Sequence, residues 1–515
     1  MASLRARLAH KPPGYRFTIG RVLAIYGALM LALLLASLDQ TIVATALPRI
    51  VSDLGGLTNY SWVITGYVLA MTVTVPLYGK LGDIYGRRQL YMVAIPVFLL
   101  GSALCGLAQS MLELVAFRVV QGLGAGGLFA LAQATIAVIV PPRERGRYQG
   151  LIGATFAAGS IGGPALGGLI VDNASWRWIF YVNVPVGLVA LAVIAVAIPK
   201  RSPRHEHAVD YLGAALLAGG TTSLLLGLVW GGQQYPWASV EVVGALVAAV
   251  VLLTVFAWVE RRAPEPILPY DLLRTRTVAA GVVAIGLSAM AMVGTIAYVP
   301  LFVQGVIGTS ATSSGAVLTP LFLGAVIASA LSGQWVSHSG RYRPNALVGP
   351  VILGAGLFLL SRMNASTTNL EAARNMVIAG VGLGLMMQVF VIAVQNVVSV
   401  RQMGTATALT QFARSIGATL GVTLMGVIVN QRLPAAAQIH RQSIHRLPPD
   451  LRNGLAHALQ PAFLAAAALC LVTLVIVALW LEEVPLRKEL DEMPGATTPE
   501  AAQPEVVTQE ASQRA

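Results

Sequence analysis

Charge is what this 515-residue sequence has least of: 11% of its residues are Asp, Glu, Lys or Arg, against 56% hydrophobic. Soluble domains carry about 25% charged residues, so most of the chain is excluded from facing water. Cysteine is almost missing as well. Cys105 and Cys470 both fall inside apolar blocks, which leaves no disulfide framework and no paired thiolate ligands; both are expected to be ordinary buried thiols. No Gly-x-x-x-x-Gly-Lys-Ser/Thr sequence occurs, so the usual phosphate cradle for ATP is lacking. Any work is expected to draw on an ion gradient, with no cofactor. No clustered His, Cys or carboxylate spacing suggests a catalytic metal, and no nucleophile–base pair stands inside an apolar block, so an enzyme is not expected. Nor is a cleavable signal, because the first apolar block is too long and lacks a small-residue cleavage site.

What is present is a succession of apolar blocks of about 20 residues, each long enough at 1.5 Å per residue to cross about 30 Å of hydrocarbon. Runs such as 20–38 are continuous rather than alternating. Backbone amides in lipid must be satisfied within a helix or a closed barrel, and the continuity selects helices. Spans are predicted at 21–45, 61–78, 91–109, 112–140, 148–171, 178–199, 211–230, 240–259, 278–301, 313–336, 345–361, 373–398, 404–430 and 461–481. The fold class is therefore an all-α membrane protein with fourteen transmembrane helices and both termini on one side.

The net charge of +12 could suggest a nucleic-acid partner, but the basic residues lie between apolar blocks rather than on one face. One set of loops holds Arg87 and Arg88, Arg143, Arg145 and Arg147, Lys200 and Arg201, Arg261 and Arg262, Arg341 and Arg343. By the positive-inside rule these loops are cytoplasmic, and both termini with them. The exception, 431–460, carries Arg432, Arg441, Arg446 and Arg452, and long loops obey the rule weakly. The residues after Leu490 are rich in Pro, Thr, Glu, Gln and Ala and read as disordered.

The chain also repeats itself. Gly79-Lys-Leu-Gly-Asp-Ile-Tyr-Gly-Arg-Arg follows span two, and Gly333-Gln-Trp-Val-Ser-His-Ser-Gly-Arg-Tyr-Arg follows span ten. Likewise Glu113 leads to Gly122, Gly124 and Gly126, as Glu371 leads to Gly380, Gly382 and Gly384. Spans one to six and nine to fourteen read as two copies of one unit. The expected organisation is a cytoplasmic segment 1–20, a six-helix bundle 21–200, an inserted helix pair with its linkers 201–276, a second six-helix bundle 277–482 and a disordered tail 483–515. Parallel repeats with a site between the halves at mid-membrane are a transporter architecture.

Within the spans, polar residues are few enough to weigh singly. Asp39, in the outer half of span one, is a carboxylate inside hydrocarbon and so a functional candidate by default. Low dielectric disfavours the charged form of a carboxyl, so it could exchange a proton; the alternative is a structural acid permanently paired with an Arg. Arg118 lies at a similar depth in span four. A guanidinium keeps its proton, so it could hold Asp39 as a carboxylate or simply bond backbone carbonyls. Glu113 and Glu371 each open a helix, where the helix dipole favours an acid, and are read as structural. Glycines four apart from Gly159 to Gly167 make a smooth stripe for close helix packing, and Pro164 can bend the span. Trp176 and Trp178 are expected at the membrane interface. Arg414, near the middle of span thirteen, could meet an anionic group or hold neighbouring carbonyls.

Taken in order, the stretches Leu38-Asp39-Gln-Thr-Ile-Val-Ala-Thr-Ala-Leu-Pro48, 79–88, Arg118-Val-Val-Gln121-Gly-Leu-Gly-Ala-Gly-Gly, Gly159-Ser-Ile-Gly-Gly-Pro164-Ala-Leu-Gly-Gly168, 176–187 and Pro300-Leu-Phe-Val-Gln304 resemble the fourteen-span drug:proton antiporters of the major facilitator superfamily. The resemblance covers about 20–482. It implies a proton-coupled exporter of amphipathic small molecules in the cytoplasmic membrane, working as a monomer by alternating access, with protons, lipid and cargo as partners and no nucleic acid. Asp39 and Arg118 would couple the proton. Gln121, Gln304, Gln388 and Arg414 would serve the substrate cavity or its gating. Gly79, Asp83, Gly86, Arg87 and Arg88 would form a cytoplasmic latch, with Asp83 resting near the start of span thirteen and Arg401; a merely topogenic basic loop is the alternative. In the second repeat Ser337 replaces that acid. Gly159, Gly163, Pro164, Gly167 and Gly168 match the pattern carried by antiporters. Some fourteen-span relatives move a lipid or lipid-linked envelope component instead, and a non-transporting sensor or intramembrane enzyme is the remaining class.

Overall fold

A computed structural model describes residues 17–54, 60–142, 144–198, 210–232, 234–263, 266–268, 270–307, 311–432 and 449–486. Among them no strand forms. The long helices are α1 (Ile19–Leu54), α2 (Tyr60–Tyr85), α3 (Arg87–Leu107), α4 (Met111–Ile139), α5 (Arg145–Asn173), α6 (Asn183–Ala197), α7 (Tyr211–Trp230), α8 (Val240–Glu260), α9 (Arg276–Phe302), α10 (Ala311–Ser339), α11 (Arg343–Ser361), α12 (Asn369–Met387, continued by Val389–Val397), α13 (Met403–Arg432) and α14 (Pro449–Trp480). A one-turn helix, Trp178–Tyr181, precedes α6. Among the described residues, thirteen membrane-length helices meet the length and hydropathy expected of a span. The remaining predicted span is α5, 29 residues long but so rich in glycine that only a short piece, Leu151–Ser160, reads as apolar.

Several helices outrun their predicted spans. α1 continues nine residues past 45, and α14 begins twelve before 461. The expected loop 79–88 is mostly helix. α2 runs through Asp83 to Tyr85, and only Gly86 breaks the path, at φ 89, before Arg87 opens α3. Such a φ suits glycine because it has no Cβ. Hydropathy registers contact with lipid, whereas a helix persists wherever its carbonyls find amides, so Lys80 and Asp83 ended the span but not the helix. Helix starts are capped as their residue types dictate. Ser110 accepts from Glu113 N, Asp210 from Gly213 N, and Thr368 forms a reciprocal capping box with Glu371. Both opening glutamates therefore act as caps.

The two glycine triplets perform the same packing task. A Cβ on Gly122 or Gly126 would strike α2 at Tyr67 or Met71, and one on Gly124 would strike α3 at Phe98. Gly380 and Gly384 meet α10 at Leu321 and Ala325, while Gly382 meets α11 at Leu353. α4 is thereby enclosed on nearly every side. α7 and α8 pack on one another, and their cluster of Leu217, Phe256 and Ile267 leans on Leu77 of α2 and Phe412 of α13.

Even-numbered helices end, and odd-numbered helices begin, at the face that holds Ile19 and Trp480, called here the terminal face. There the two helix sets meet. Val75 and Ala130 pack with Ala408, and Ala137 packs with Val394, Met403 and Ala406. Gly153 of α5 faces Ser329 of α10.

Candidate functional site

Asp39 is 1% exposed and lies at the centre of a closed polar network. Arg118 Nη1 donates to Asp39 Oδ2. Gln121 Nε2 donates to Asp39 Oδ1 at 2.8 Å, and Asn183 Nδ2 does so at 3.1 Å. Arg118 is held in turn: Nε donates to Val63 O at 3.1 Å, Nη1 to Gln121 Oε1 at 2.8 Å, and its guanidinium lies 4.0 Å from the Tyr67 ring centroid. Asn183 also donates to Ser102 Oγ at 3.0 Å, and Ser102 donates to Phe180 O at 2.8 Å. Buried charges persist when paired and fully hydrogen-bonded, and this set meets both conditions. Asp39 comes from α1, its donors from α4 and α6, and the groups that hold those donors from α2 and α3, so α1 cannot part from α4 or α6 without disturbing Asp39.

The structure brings Asp39 and Arg118 together at one depth, but not because Asp39 is near a helix end. α1 runs fifteen residues past it, and those residues (Ile42, Val43, Ala46, Leu47, Ile50) pack with Met111, Leu114 and Trp176. Gln121, expected at the cavity, is instead enclosed in the network at 0% exposure, because its carboxamide bridges both charged partners. Trp176, expected at the interface, is 1% exposed and donates from Nε1 to Asp53 Oδ2 at 3.0 Å, whereas Trp178 is 58% exposed. Asn183 was not foreseen as part of the site. Its signal was an amide opening an otherwise apolar run.

The glycines of α5 lie directly on the Asp39 segment. A Cβ on Gly159 would meet Ser37 Cβ at 2.8 Å and Leu38 N at 3.3 Å. One on Gly163 would meet Thr41 Cβ at 2.8 Å, and Thr41 Oγ1 donates to Gly159 O at 3.0 Å. Gly167 is buried in the same helix, Gly168 has open space beside it, and the helix continues through Pro164.

At the terminal face Asp83 caps α13. Its Oδ1 accepts from Gly404 N at 3.0 Å, and its Oδ2 accepts from Thr405 N at 2.8 Å and Thr405 Oγ1 at 3.3 Å. Arg87 completes the set at 3.1 Å. A carboxylate on the first free amides of a helix is favoured by hydrogen bonding and by the helix dipole. Gly79 makes the approach possible, since a Cβ there would meet Gly404 O at 2.9 Å. Gly86 forms the turn, and Arg88 is partly exposed beside it. A second tie was not foreseen. Arg145, counted only as a loop charge, is 0% exposed and donates to Ala137 O, to Val140 O at 3.3 Å and to Gln395 O at 3.5 Å. It joins the end of α4 to the end of α12.

The other predicted residues lie apart from these clusters. Gln304 falls in a π-helical turn, Val303–Ile307, that follows α9. Gln388 stands at the break in α12, and Arg414 is half-buried in α13. In the second repeat, Gly340 turns at φ 71 and the segment after α14 crosses it. Leu486 N donates to Gly340 O, Tyr342 N to Glu483 Oε1, and Tyr342 Oη to Glu482 O at 2.7 Å. Burial pushes the Tyr342 hydroxyl up to about 12, so it remains a donor. Of the tail expected from 483, residues 483–486 thus have fixed partners, and 487–515 lie outside the described residues.

The sequence profile of the Major Facilitator Superfamily matches residues 29–422. The chain belongs to that superfamily. Within it, the chain is similar to drug-efflux members. It is 39% identical over 412 residues to the multidrug transporter protein MdtP of Bacillus subtilis, covering 80% of this chain and 76% of the relative. An uncharacterised MFS-type transporter of Mycobacterium tuberculosis is 38% identical over 511 residues, covering 95% of this chain and 74% of the relative. The fold is similar to that of the human organic anion transporter MFSD10 (TETRAN), with a TM-score of 0.62 at 16% identity, covering 91% of this chain and all of the other. This major facilitator protein is therefore a multi-pass membrane transporter.

Proposed function

We propose that the protein is a proton-coupled antiporter that exports amphipathic small molecules across the cytoplasmic membrane by alternating access, as a monomer with both termini cytoplasmic. The observation that carries this reading is the enclosure of Asp39 among Arg118, Gln121 and Asn183 while the halves are tied at the terminal face. In that arrangement both oxygens of Asp39 accept hydrogen bonds, Oδ1 from Gln121 and Asn183 and Oδ2 from Arg118. Parting α1 from α4 or from α6 would strip donors from the carboxylate and favour protonation. Proton and cargo must prefer different states, or the gradient would drive nothing. A multidrug cargo agrees with the name of MdtP and with that of multidrug resistance protein 3 of Bacillus subtilis, 37% identical over 400 residues. The connection 362–368 between α11 and α12 is a short hydrogen-bonded turn rather than an amphipathic hairpin suited to lipid.

The test is Asp39→Asn in proteoliposomes with an imposed proton gradient. Gradient-driven efflux is expected to disappear while cargo binding in detergent persists. Efflux at the wild-type rate would remove Asp39 from the coupling step.

A further inference from the structure

Away from the Asp39 network, another pair of carboxyl groups meets where α7 begins and α8 ends, at the terminal face. Asp210 caps α7, and its Oδ1 accepts from Gly213 N at 2.7 Å. Glu260 is the last residue of α8 and is 7% exposed; its Oε1 accepts from Leu268 N at 2.5 Å. The remaining oxygens, Asp210 Oδ2 and Glu260 Oε2, are both buried, and neither has a hydrogen-bond partner. They converge on one spot. A Cβ on Gly213 would strike Asp210 Oδ2 and lie 3.0 Å from Glu260 Oε2.

Two acceptors cannot bond to one another, and a buried polar atom left unsatisfied is costly. One proton settles both oxygens at once, because a carboxylic acid donates where a carboxylate only accepts. Charge leads to the same count. The groups that face the pair are Lys80 of α2, within electrostatic reach of Glu260, and the backbone amides of Ile267 and Leu268. Arg261, next in the chain, is exposed. Alongside packs the apolar cluster that Ile267 shares with Leu217 and Phe256. One ammonium against two carboxylates leaves a net negative charge where water is scarce, and one bound proton cancels it. The helix ends decide which group carries that proton. Asp210 sits at the positive end of α7, where a carboxylate is favoured, and Glu260 at the negative end of α8, where it is not.

We propose that Asp210 and Glu260 form a second proton-binding site, separate from the Asp39 network, in which Glu260 Oε2 donates to Asp210 Oδ2. The bound proton ties the start of α7 to the end of α8. When it leaves, two like charges face each other and drive those ends apart. Lys80 lies between Gly79 and Asp83 in α2, so the loosening reaches the helix that carries the Asp83 cap. The inserted pair is thereby a pH-sensitive element of the terminal face. The folded protein holds this proton and the unfolded chain does not, so stability falls as pH rises through the titration of the site.

The full-length protein in detergent would be tested by its unfolding temperature from mildly acidic to mildly alkaline pH. Glu260→Gln imitates the protonated acid, since its carboxamide can donate to Asp210 and still accept from Leu268. It is expected to match wild type at the acidic end and to lack the fall of several degrees that wild type shows at the alkaline end. Asp210→Asn, which can donate to an ionised Glu260, should flatten the profile as well. Infrared difference spectra between the two ends of the range should show a protonated-carboxyl band that survives Asp39→Asn and vanishes in Glu260→Gln. None of these readouts needs transport, so the site stands or falls apart from the export reading. Coincident pH profiles in wild type and Glu260→Gln would overturn the proposal. So would a Glu260→Gln variant destabilised at every pH, the mark of an ionised Glu260 held by Lys80. Stabilisation by magnesium that requires both carboxyl groups would overturn it too, in favour of a bound metal ion.

Discussion

At the scale of single residues, Asp39 is defined by what surrounds it. Truncating one member of a buried ion pair leaves the other charge stranded, at a cost of about 3–5 kcal/mol. Arg118→Ala is therefore expected to lower the unfolding temperature sharply, and Asp39→Asn added to it should restore part of the loss. Additive losses in such a double-variant cycle would mean that the pair does not interact energetically. Asn183→Leu keeps the ion pair but removes one donor from Asp39 and one from Ser102; gradient-driven efflux should fall while cargo binding holds. Asp39 and Arg118 were legible because each is a charge in an apolar run. Asn183 was not, since one amide near an interface looks like an anchor until the fold sets it against span one. Gln121 was legible as polar and central, but a side chain facing its own helix neighbour at i−3 cannot be told by spacing from one facing a cavity.

Between elements, the decisive contact is α5 on α1. Gly163→Val would push a branched side chain into Thr41 beside Asp39, an overpacking expected to cost about 1–3 kcal/mol and to abolish efflux. Gly168→Ala, with nothing within 4 Å of the added carbon, should stay within about 0.5 kcal/mol of wild type. Equal effects of the two substitutions on transport would show that the packing face is not what matters. The stripe itself was readable from the four-residue period, but its partner was not, because helix pairing across 120 residues leaves no local trace. The 79–88 stretch shows the reverse failure. Its turn glycine and its acid were legible, yet hydropathy assigned a loop where a helix continues, since it weighs solvent contact rather than backbone bonding.

For the whole molecule, the terminal face is held shut by Asp83 on α13 and by Arg145 between α4 and α12. Asp83→Asn removes a charged cap worth about 1–2 kcal/mol, which shifts a two-state balance roughly 5–30-fold. A cysteine at Ala137, buried behind that closure, should react correspondingly faster with a membrane-impermeant maleimide in the Asp83→Asn background. An unchanged rate would mean that the cap does not bias the closed state. The two halves are not equivalent here. The first half reaches across with Asp83, whereas Ser337 stands at the matching place in the second, and there the segment 482–486 after α14 does the fastening instead, through Tyr342, Gly340 and Asn396. That fastening sets a practical boundary for anyone building a reporter or affinity handle onto the protein. A fluorescent fusion appended beyond Leu486 leaves the clasp intact and should run as a single sharp peak on size-exclusion chromatography. One joined directly after Leu481 deletes the strap, unzips the turn between α10 and α11 and should yield broadened, heat-labile material.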